Sequence, residues 1–262
     1  MANGLHVVLG GSGSVGRPLV EALLSKGHDV RSVFRSADHR PIDGVETISA
    51  DVSLSRGAEI ACDGASVVYN CVFPPTNAAV LSTCSNTGAK LVLADSLAMY
   101  NPQLGSMTEA TPYELGKRKF GTTRVKMEQR LMTAYNSGDV RVAIGRASDV
   151  YGPGVIVSAV GSAVFRAAID GRPSTVMGDP DMPHTYTYNR DFAQALATLG
   201  NRSEADGQVW HVPSAQTITT REFLTMMYRE AGHNLKIRVF GSTTLTIMGL
   251  LSRSVRRAHR EK

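Results

Sequence analysis

The stretch TPYELGKRKFGTTR, residues 111–124, holds the side chains of this 262-residue chain whose types and spacing best fit proton-transfer chemistry. Tyr113 and Lys117 lie four positions apart, which places two side chains on one face of a helix. A phenol has an ordinary pKa of about 10 and needs a nearby cation before it can act as a base near neutral pH. Phe120 and Arg124 repeat the spacing, but phenylalanine carries no proton. Only the first pair has usable chemistry.

A glycine-rich loop near the start of the chain predicts a phosphate-binding site. GGSGSVG, residues 10–16, follows the apolar run LHVVLG and precedes apolar residues at helical spacing. Glycines in a GxxGxxG pattern allow a tight turn, close approach of the backbone to a pyrophosphate, and close packing of helix on strand. Amides at the helix start then face the phosphates. The expected nucleotide contacts are Gly10, Ser12, Gly13, Ser14, Val15 and Gly16.

Residues at the ends of the next three expected strands refine the choice of cofactor. Sites specific for NAD usually carry Asp or Glu after the second strand, where it accepts from the ribose 2′-hydroxyl. This chain has Arg35 there, and a guanidinium suits a 2′-phosphate. NADP(H) is therefore favoured over NAD(H). Asp51 is placed to reach the adenine or, equally, to cap the following helix, and Val52 and Asn70 complete the expected contacts.

Further segments resemble the short-chain dehydrogenase/reductase superfamily, in the extended and atypical branches that include NAD-dependent epimerases and dehydratases. DSLAMYNP (95–102) is similar to the segment in which Ser precedes Tyr by four residues, here Ser96 and Tyr100. GRASDVYGPG (145–154) looks like the Arg…Tyr-Gly-Pro stretch after the sixth strand. HTYTYNRDFAQAL (184–196) resembles the segment in which an Asp opens a helix. With the glycine loop, the resemblance spans most of the chain.

This resemblance implies hydride transfer at a nicotinamide, assisted by a Tyr–Lys pair and a Ser that orients the substrate oxygen. In the extended pattern the Tyr follows the Ser at about the distance that separates Phe120 from Ser96, so Phe120 and Arg124 take the Tyr and Lys positions. Arg124 is then expected beside the cofactor. Tyr113 and Lys117 restore the pair if the helix begins earlier. The expected catalytic residues are Ser96, Tyr113 and Lys117.

Three functions from different classes follow. The first is an NADP(H)-dependent oxidoreductase or epimerase-like enzyme acting on a small carbonyl or sugar-type substrate. Tyr100, His184 and Tyr186 are expected to contact that substrate. His184 and Tyr186 alternate in HTYTY and therefore share one face of a strand. The second is a non-catalytic NADP(H)-binding regulatory or redox-sensing protein, which the Phe120–Arg124 pair favours. The third is a nucleic-acid or membrane-surface binder that uses a basic C-terminal segment.

The order of elements predicts an α/β fold: a Rossmann-type doubly wound parallel sheet with a small C-terminal substrate lobe. Strands are expected over residues 5–10, 29–34, 45–49, 65–72, 90–94 and 140–145, with helical segments between them. The dinucleotide-binding part is expected over residues 1–150 and the lobe, not an independent domain, over 151–262. Helices are predicted from Thr111 to Tyr135, over 155–171, and from a capping box at Thr219 towards Ala231.

Composition limits the partners. The formal charge is +5, but the last ten residues carry +4 of it, so the body lacks the basic face that nucleic acid requires. No apolar run approaches the ~20 residues of a membrane helix, and the N-terminus lacks a signal-peptide layout. A cytoplasmic protein is expected, with its three cysteines reduced and no metal site. Extended members usually continue with further helical sequence, so the lobe is expected either to be incomplete or to be shared with a partner, as in a homodimer.

Overall fold

The computed structural model describes residues 4–35, 42–72, 78–102, 105–114 and 119–240. Its strands, in chain order, are β1 (Leu5–Leu9), β2 (Val30–Phe34), β3 (Glu46–Ser49), β4 (Ala65–Asn70), β5 (Lys90–Ser96), β6 (Val142–Ala147), β7 (Asp149–Tyr151), β8 (Ser174–Met177), β9 (Pro183–His184), β10 (Tyr186–Tyr188), β11 (Gln208–His211), β12 (Ile218–Thr219) and β13 (Ile237–Phe240). Its α-helices are α1 (Gly16–Ser25), α2 (Ser55–Cys62), α3 (Ala78–Thr87), α4 (Lys119–Asn136), α5 (Ser162–Ile169), α6 (Asn189–Asn201) and α7 (Thr220–Glu230).

Seven parallel strands form the main sheet, in the order β11-β6-β5-β4-β1-β2-β3. The order reverses between β1 and β4, as in a doubly wound Rossmann-type sheet, and both faces are covered. Along β1, Val7 packs in a core with α2 and α3, whereas Val8 packs in a second core with α1 and α6. This alternation follows from the two-residue period of a strand, and burial on both faces explains the continuous apolar runs of the sequence. The predicted fold class is confirmed.

The second half of the chain contributes to both the sheet and a small lobe. Helix α6 packs on α1 and the sheet, and β11 pairs with β6 as an edge strand, so the sheet extends beyond residue 150. The lobe consists of α5, α7 and three two-stranded ribbons, β10-β7, β12-β9 and β13-β8. The capping box predicted at Thr219 is present and opens α7.

Two predicted helices begin later than the sequence pattern indicates. The helix predicted over 155–171 begins at Ser162, because the preceding residues form tight turns, with Gly161 N donating to Ser158 O and Ser162 N to Val155 O. The helix predicted from Thr111 does not begin there, because residues 111–114 are not helical, and the structure describes α4 from Lys119 onwards. The Thr111 side chain instead accepts from the amide of Thr108 at 2.9 Å, on the side away from the expected helix.

The described residues contain neither a membrane-spanning helix nor a cluster of metal ligands. No helix among them has the length and hydropathy needed to cross a membrane. No group of three or more His, Cys, Asp or Glu side chains within the described ranges converges as metal ligands do. Cys62, Cys71 and Cys84 are free thiols, and Cys62 and Cys84 are buried in the core.

Candidate functional site

The glycine loop between β1 and α1 has the close contacts that its sequence predicts. Gly10 has a φ of 79°, and a Cβ there would lie 3.2 Å from the carbonyl of Cys71, which directly follows β4. A Cβ on Gly16 would lie 2.1 Å from the Gly10 carbonyl oxygen, so the start of α1 can pack against the loop only without a side chain. These two glycines are required by the backbone itself.

The outer side of the loop is open, as a phosphate site requires. Gly13 is exposed, and among the described residues the only atom within 4 Å of a Cβ built on it is the Gly10 carbonyl oxygen, at 3.1 Å. Helix α1 has no acidic residue in its first turn and no side-chain cap from Val15, so no carboxylate competes with an anion at its N-terminus. The loop therefore fits the pyrophosphate of a dinucleotide. Ser12 is exposed and Ser14 is half-buried beside it.

The residues expected at the adenosine end lie at the carboxyl ends of β2 to β4. Arg35 directly follows β2 and is exposed. Asp51 Oδ1 accepts from the amide (3.0 Å) and hydroxyl (2.6 Å) of Ser53, and these bonds, with a smaller contribution from Arg35, lower the pKa of Asp51. Asp51 thus stabilises the turn before α2, whose N-cap residue is Leu54. Val52 is buried, and the buried Asn70 accepts from the amide of Val72 at 3.1 Å.

Charged side chains meet at the carboxyl ends of β5 and β6 in a group that we call the guanidinium cluster: Asp95, Arg124, Glu128 and Arg146. Arg146 is fully buried, and its Nε donates to Asp95 Oδ2 at 3.0 Å while Nη2 pairs with Glu128. Arg124, on α4, pairs with the other oxygen of Asp95. Two cations and two carboxylates therefore balance one another in a region nearly closed to water.

Two phenols complete this group. Arg146 Nη1 donates hydrogen bonds to the hydroxyls of Tyr100 (2.8 Å) and Tyr113 (3.1 Å). The Tyr113 hydroxyl in turn donates a hydrogen bond to Glu128 Oε1 at 2.7 Å. Burial raises the pKa of Tyr113 to about 12, and the bond to Glu128 adds to this, although Arg146 opposes it. Tyr113 therefore keeps its proton at neutral pH. Tyr100 is only 1% exposed, and its hydroxyl also contacts His211 Nε2 at 3.0 Å.

Tyr113 lies outside the described part of helix α4. It forms an isolated antiparallel bridge with Tyr100, and residues 111–114 are not helical. Lys117 lies outside the described residues. Ser96 ends β5, is half-buried, and accepts from the amide of Ala98 at 3.4 Å.

The predicted substrate residues of the second half line a cavity in the lobe. This cavity, of about 740 Å³, is bordered by His184, Tyr186 and Asp149, among others. The rings of His184 and Tyr186 lie 4.6 Å apart, centroid to centroid, so the shared face expected from their alternation is confirmed. The Tyr186 hydroxyl contacts that of Thr220 at 2.8 Å.

Sequence reasoning missed three participants: Arg146 and Glu128 as partners of Tyr113, and Asn189. The buried Asn189 Nδ2 donates to the carbonyls of Ser14 in the glycine loop and Pro153 in the lobe, each at 2.8 Å. The Arg of GRASDVYGPG was a usable signal for Arg146, but nothing local indicated that Asn189 connects the two parts.

Comparison with known proteins agrees with this architecture. The human protein "Sterol-4-alpha-carboxylate 3-dehydrogenase, decarboxylating" is 24% identical over 243 residues, which cover 83% of this chain and 64% of that protein. The chain thus spans just under two thirds of the length of this curated relative. The crystal structure of UDP-glucose 4-epimerase from Thermus thermophilus in complex with NAD superposes with a TM-score of 0.76 at 22% identity, over 90% of this chain and 86% of that one.

A dTDP-glucose 4,6-dehydratase from Bacillus anthracis, in complex with NAD, has a TM-score of 0.80 at 15% identity, over 91% of this chain and 84% of that one. At these identities the solved structures establish the fold. Two family models match the sequence itself. The model described as NAD(P)H-binding matches residues 10–128, and the model of the NAD dependent epimerase/dehydratase family matches residues 75–212, just over half of the chain. The chain therefore belongs to the NAD-dependent epimerase/dehydratase family, an NAD(P)-binding branch of the short-chain dehydrogenase/reductase superfamily.

Proposed function

We propose that the protein binds NADP(H) in preference to NAD(H). Arg35 supports this preference, because it stands at the end of β2, where an NAD-specific site usually carries a carboxylate. A guanidinium forms charge-assisted, frequently bidentate bonds to phosphate. Asp51, the nearby carboxylate, already accepts two hydrogen bonds from Ser53. Gly10, Ser12, Gly13, Ser14, Val15 and Gly16 would hold the pyrophosphate, with Val52 and Asn70 alongside the nucleotide.

The reaction proposed is oxidation or reduction of a small carbonyl or sugar-type compound, including an epimerase-like cycle. When bound, the nicotinamide supplies or accepts hydride. The observation that carries this proposal is the convergence, at one sheet edge, of an open glycine loop, Ser96 and the Arg146-bound phenol of Tyr113, with a cavity in the adjoining lobe. Ser96 would orient the substrate oxygen. Tyr113 and Lys117, the other two predicted catalytic residues, would surround that oxygen with further polar groups.

A second function is favoured by a specific observation. The Tyr113 hydroxyl donates a hydrogen bond to Glu128, and Arg124 is paired with Asp95, so the groups closest to the superfamily's catalytic positions are engaged with other protein groups. A non-catalytic NADP(H)-binding sensor would need no more than this arrangement. It shares the nucleotide site with the first function and differs in lacking turnover.

Calorimetric titration with NADPH and NADH tests the cofactor. Replacement of Arg35 by Ala should weaken NADPH binding roughly 10- to 100-fold, as expected for loss of hydrogen bonds to a charged group. NADH binding should change little. The matched control is Arg130→Ala, which removes another exposed arginine, on α4. Equal weakening of both nucleotides in the Arg35 variant would contradict the 2′-phosphate role, and no binding of either would refute the proposal.

Turnover separates the two functions. NADPH oxidation should be followed by absorbance with neutral ketones, aldehydes and nucleotide sugars. NADPH consumption that depends on one of these compounds identifies an enzyme. The loss of turnover in Tyr113→Phe then measures how much the phenol contributes to the reaction. Tight NADPH binding without NADPH consumption with any of these compounds would favour the sensor.

A further inference from the structure

A proton-transferring group is missing from the guanidinium cluster. Hydride transfer to a carbonyl leaves an alkoxide that must gain a proton, and the reverse reaction must remove one. Tyr113 already donates to Glu128, and Tyr100 is buried between Arg146 and His211. Neither phenol is therefore well placed to exchange protons with a substrate. This reasoning rests on the function proposed above.

The lobe cavity contains a histidine held by a carboxylate. His184 Nε2 donates to Asp149 Oδ2 at 3.0 Å, and both side chains line the cavity. The imidazole also packs on the ring of Tyr186. This carboxylate fixes which ring nitrogen carries the proton, so Nδ1 is left as the nitrogen for a ligand. His184 is 38% exposed as a side chain, which leaves it accessible from the cavity.

The strand register places this pair near Ser96. In the main sheet Ser96 is the partner of Ala147, and Asp149 follows two residues later as the first residue of β7. Asp149 is in turn the register partner of Tyr186, two residues beyond His184. Ser96 and Asp149 thus lie close together at the carboxyl ends of neighbouring strands, and the His184 imidazole is held beside Asp149.

We propose that His184 is the acid–base residue for a substrate in the lobe cavity, and that Asp149 is a positioning residue that orients its imidazole. In the reducing direction, the substrate's carbonyl carbon gains hydride from the reduced nicotinamide and its oxygen gains the proton of His184 Nδ1. The products are an alcohol, the oxidised nicotinamide and a neutral imidazole, which takes its next proton from water. In the oxidising direction, neutral Nδ1 accepts the hydroxyl proton. Imidazole is the side chain that most often moves protons in enzymes near neutral pH.

The cavity lining indicates the substrate to test. About half of the side chains that border it are apolar, among them Val164, Pro173, Val176, Met182 and Leu224. Two arginines, Arg166 and Arg172, and two aspartates, Asp149 and Asp179, also border the cavity, so its formal charges balance. Such a lining favours a neutral, largely apolar compound with one carbonyl or hydroxyl oxygen over a doubly charged diphosphate.

The experiment measures NADPH oxidation with a series of neutral alicyclic and aromatic ketones, after calorimetry has shown that each variant binds NADPH as the wild type does. His184→Gln should lower kcat roughly 100-fold or more, since general acid–base groups contribute at least that factor. Asp149→Asn should cause a smaller loss. His233→Gln is the matched control, because His233 is an exposed histidine bonded to the carbonyl of Ile169 outside the cavity, and its kcat should not change.

Chemical rescue distinguishes a proton-transfer role from a structural one. Free imidazole should restore turnover to His184→Ala, whereas pyrazole, a ring of the same size and a far weaker base, should not. Equal rescue by both, or a His184→Gln variant with wild-type kcat, would overturn the inference while leaving the proposed function intact. Wild-type protein that binds NADPH but reduces none of the ketones would also overturn it. Failure to bind NADPH would instead refute the proposed function itself.

Discussion

Removal of the Arg146 guanidinium should be among the most destabilising single changes in this protein. Its side chain is fully buried and bonds to Asp95, Glu128, Tyr100 and Tyr113. In Arg146→Met, Asp95 keeps only Arg124 as its partner in the cluster, and Glu128 keeps the Tyr113 hydroxyl. One buried negative charge is then uncompensated.

The expected cost is about 3–5 kcal/mol, the range measured when one partner of a buried ion pair is removed. Domains are usually stable by only about 5–15 kcal/mol, so this is a large share of the total. For a chain of this size the melting temperature should fall by roughly 10 °C. The folded variant should also show Tyr113 displaced, because its hydroxyl loses the Arg146 donor.

Urea unfolding followed by circular dichroism measures this cost. Arg141→Met is the matched control, since Arg141 is exposed and donates to the Gly88 carbonyl at 3.2 Å, and it should change the free energy of unfolding by no more than about 0.5 kcal/mol. Adding Glu128→Gln to Arg146→Met should recover part of the loss, because it removes a negative charge. A loss below about 1 kcal/mol for Arg146→Met would refute the view that these charges are mutually dependent.

Three further predictions concern pH, the loop and a helix cap. Burial, with a contribution from His28, lowers the pKa of His6 to about 4, below the unfolded value of about 6.5, so the unfolded chain takes up the proton first. The contribution of His6 to stability is therefore complete above the unfolded pKa and is lost as pH falls towards 4, by roughly 2 kcal/mol between pH 7 and pH 5. His6→Gln should flatten this pH dependence of the free energy of unfolding in urea, and an unchanged slope would contradict the prediction. Gly16→Ala should abolish NADPH binding in calorimetry, because its Cβ would lie 2.1 Å from the Gly10 carbonyl oxygen; wild-type affinity would show that the loop can shift. Thr219→Ala should cost about 1 kcal/mol in thermal unfolding by removing the capping box of α7, and no change would mean that water replaces the cap.

Much of the fold could be predicted because its signals are local. Six strands of the main sheet were predicted, and β1, β4, β5 and β6 among them are largely apolar because strands buried on both faces need no polar alternation. The edge strand β3 is instead largely exposed. The glycine loop was recognisable because its turn, its close contacts and the following helix lie within a few residues of one another. The same holds for Thr219, whose cap involves a residue only three positions away.

The missed features depend on distant partners. Thr111-Pro112-Tyr113-Glu114 has the pattern of a helix start, yet the amide of Glu114 donates to the Met99 carbonyl at 2.8 Å, and Tyr113 pairs with Tyr100. Tertiary contacts thus override a local capping pattern. Strand β11 was missed because QVWH is short and polar at its start, and its assignment depends on pairing with β6.

The distinction between Lys and Arg at position 124 connects the fold with the chemistry. A lysine there would present one compact charge, able to serve a nearby phenol or a ribose. The planar guanidinium of Arg124 instead binds Asp95, which Arg146 binds from the other side. The cluster is thereby balanced internally, and moving a proton out of it would leave an uncompensated buried charge, which is costly in a region of low dielectric. If the protein transfers protons, the donor should therefore stand where water can restore its charge, and the half-exposed His184 in the lobe cavity meets that requirement.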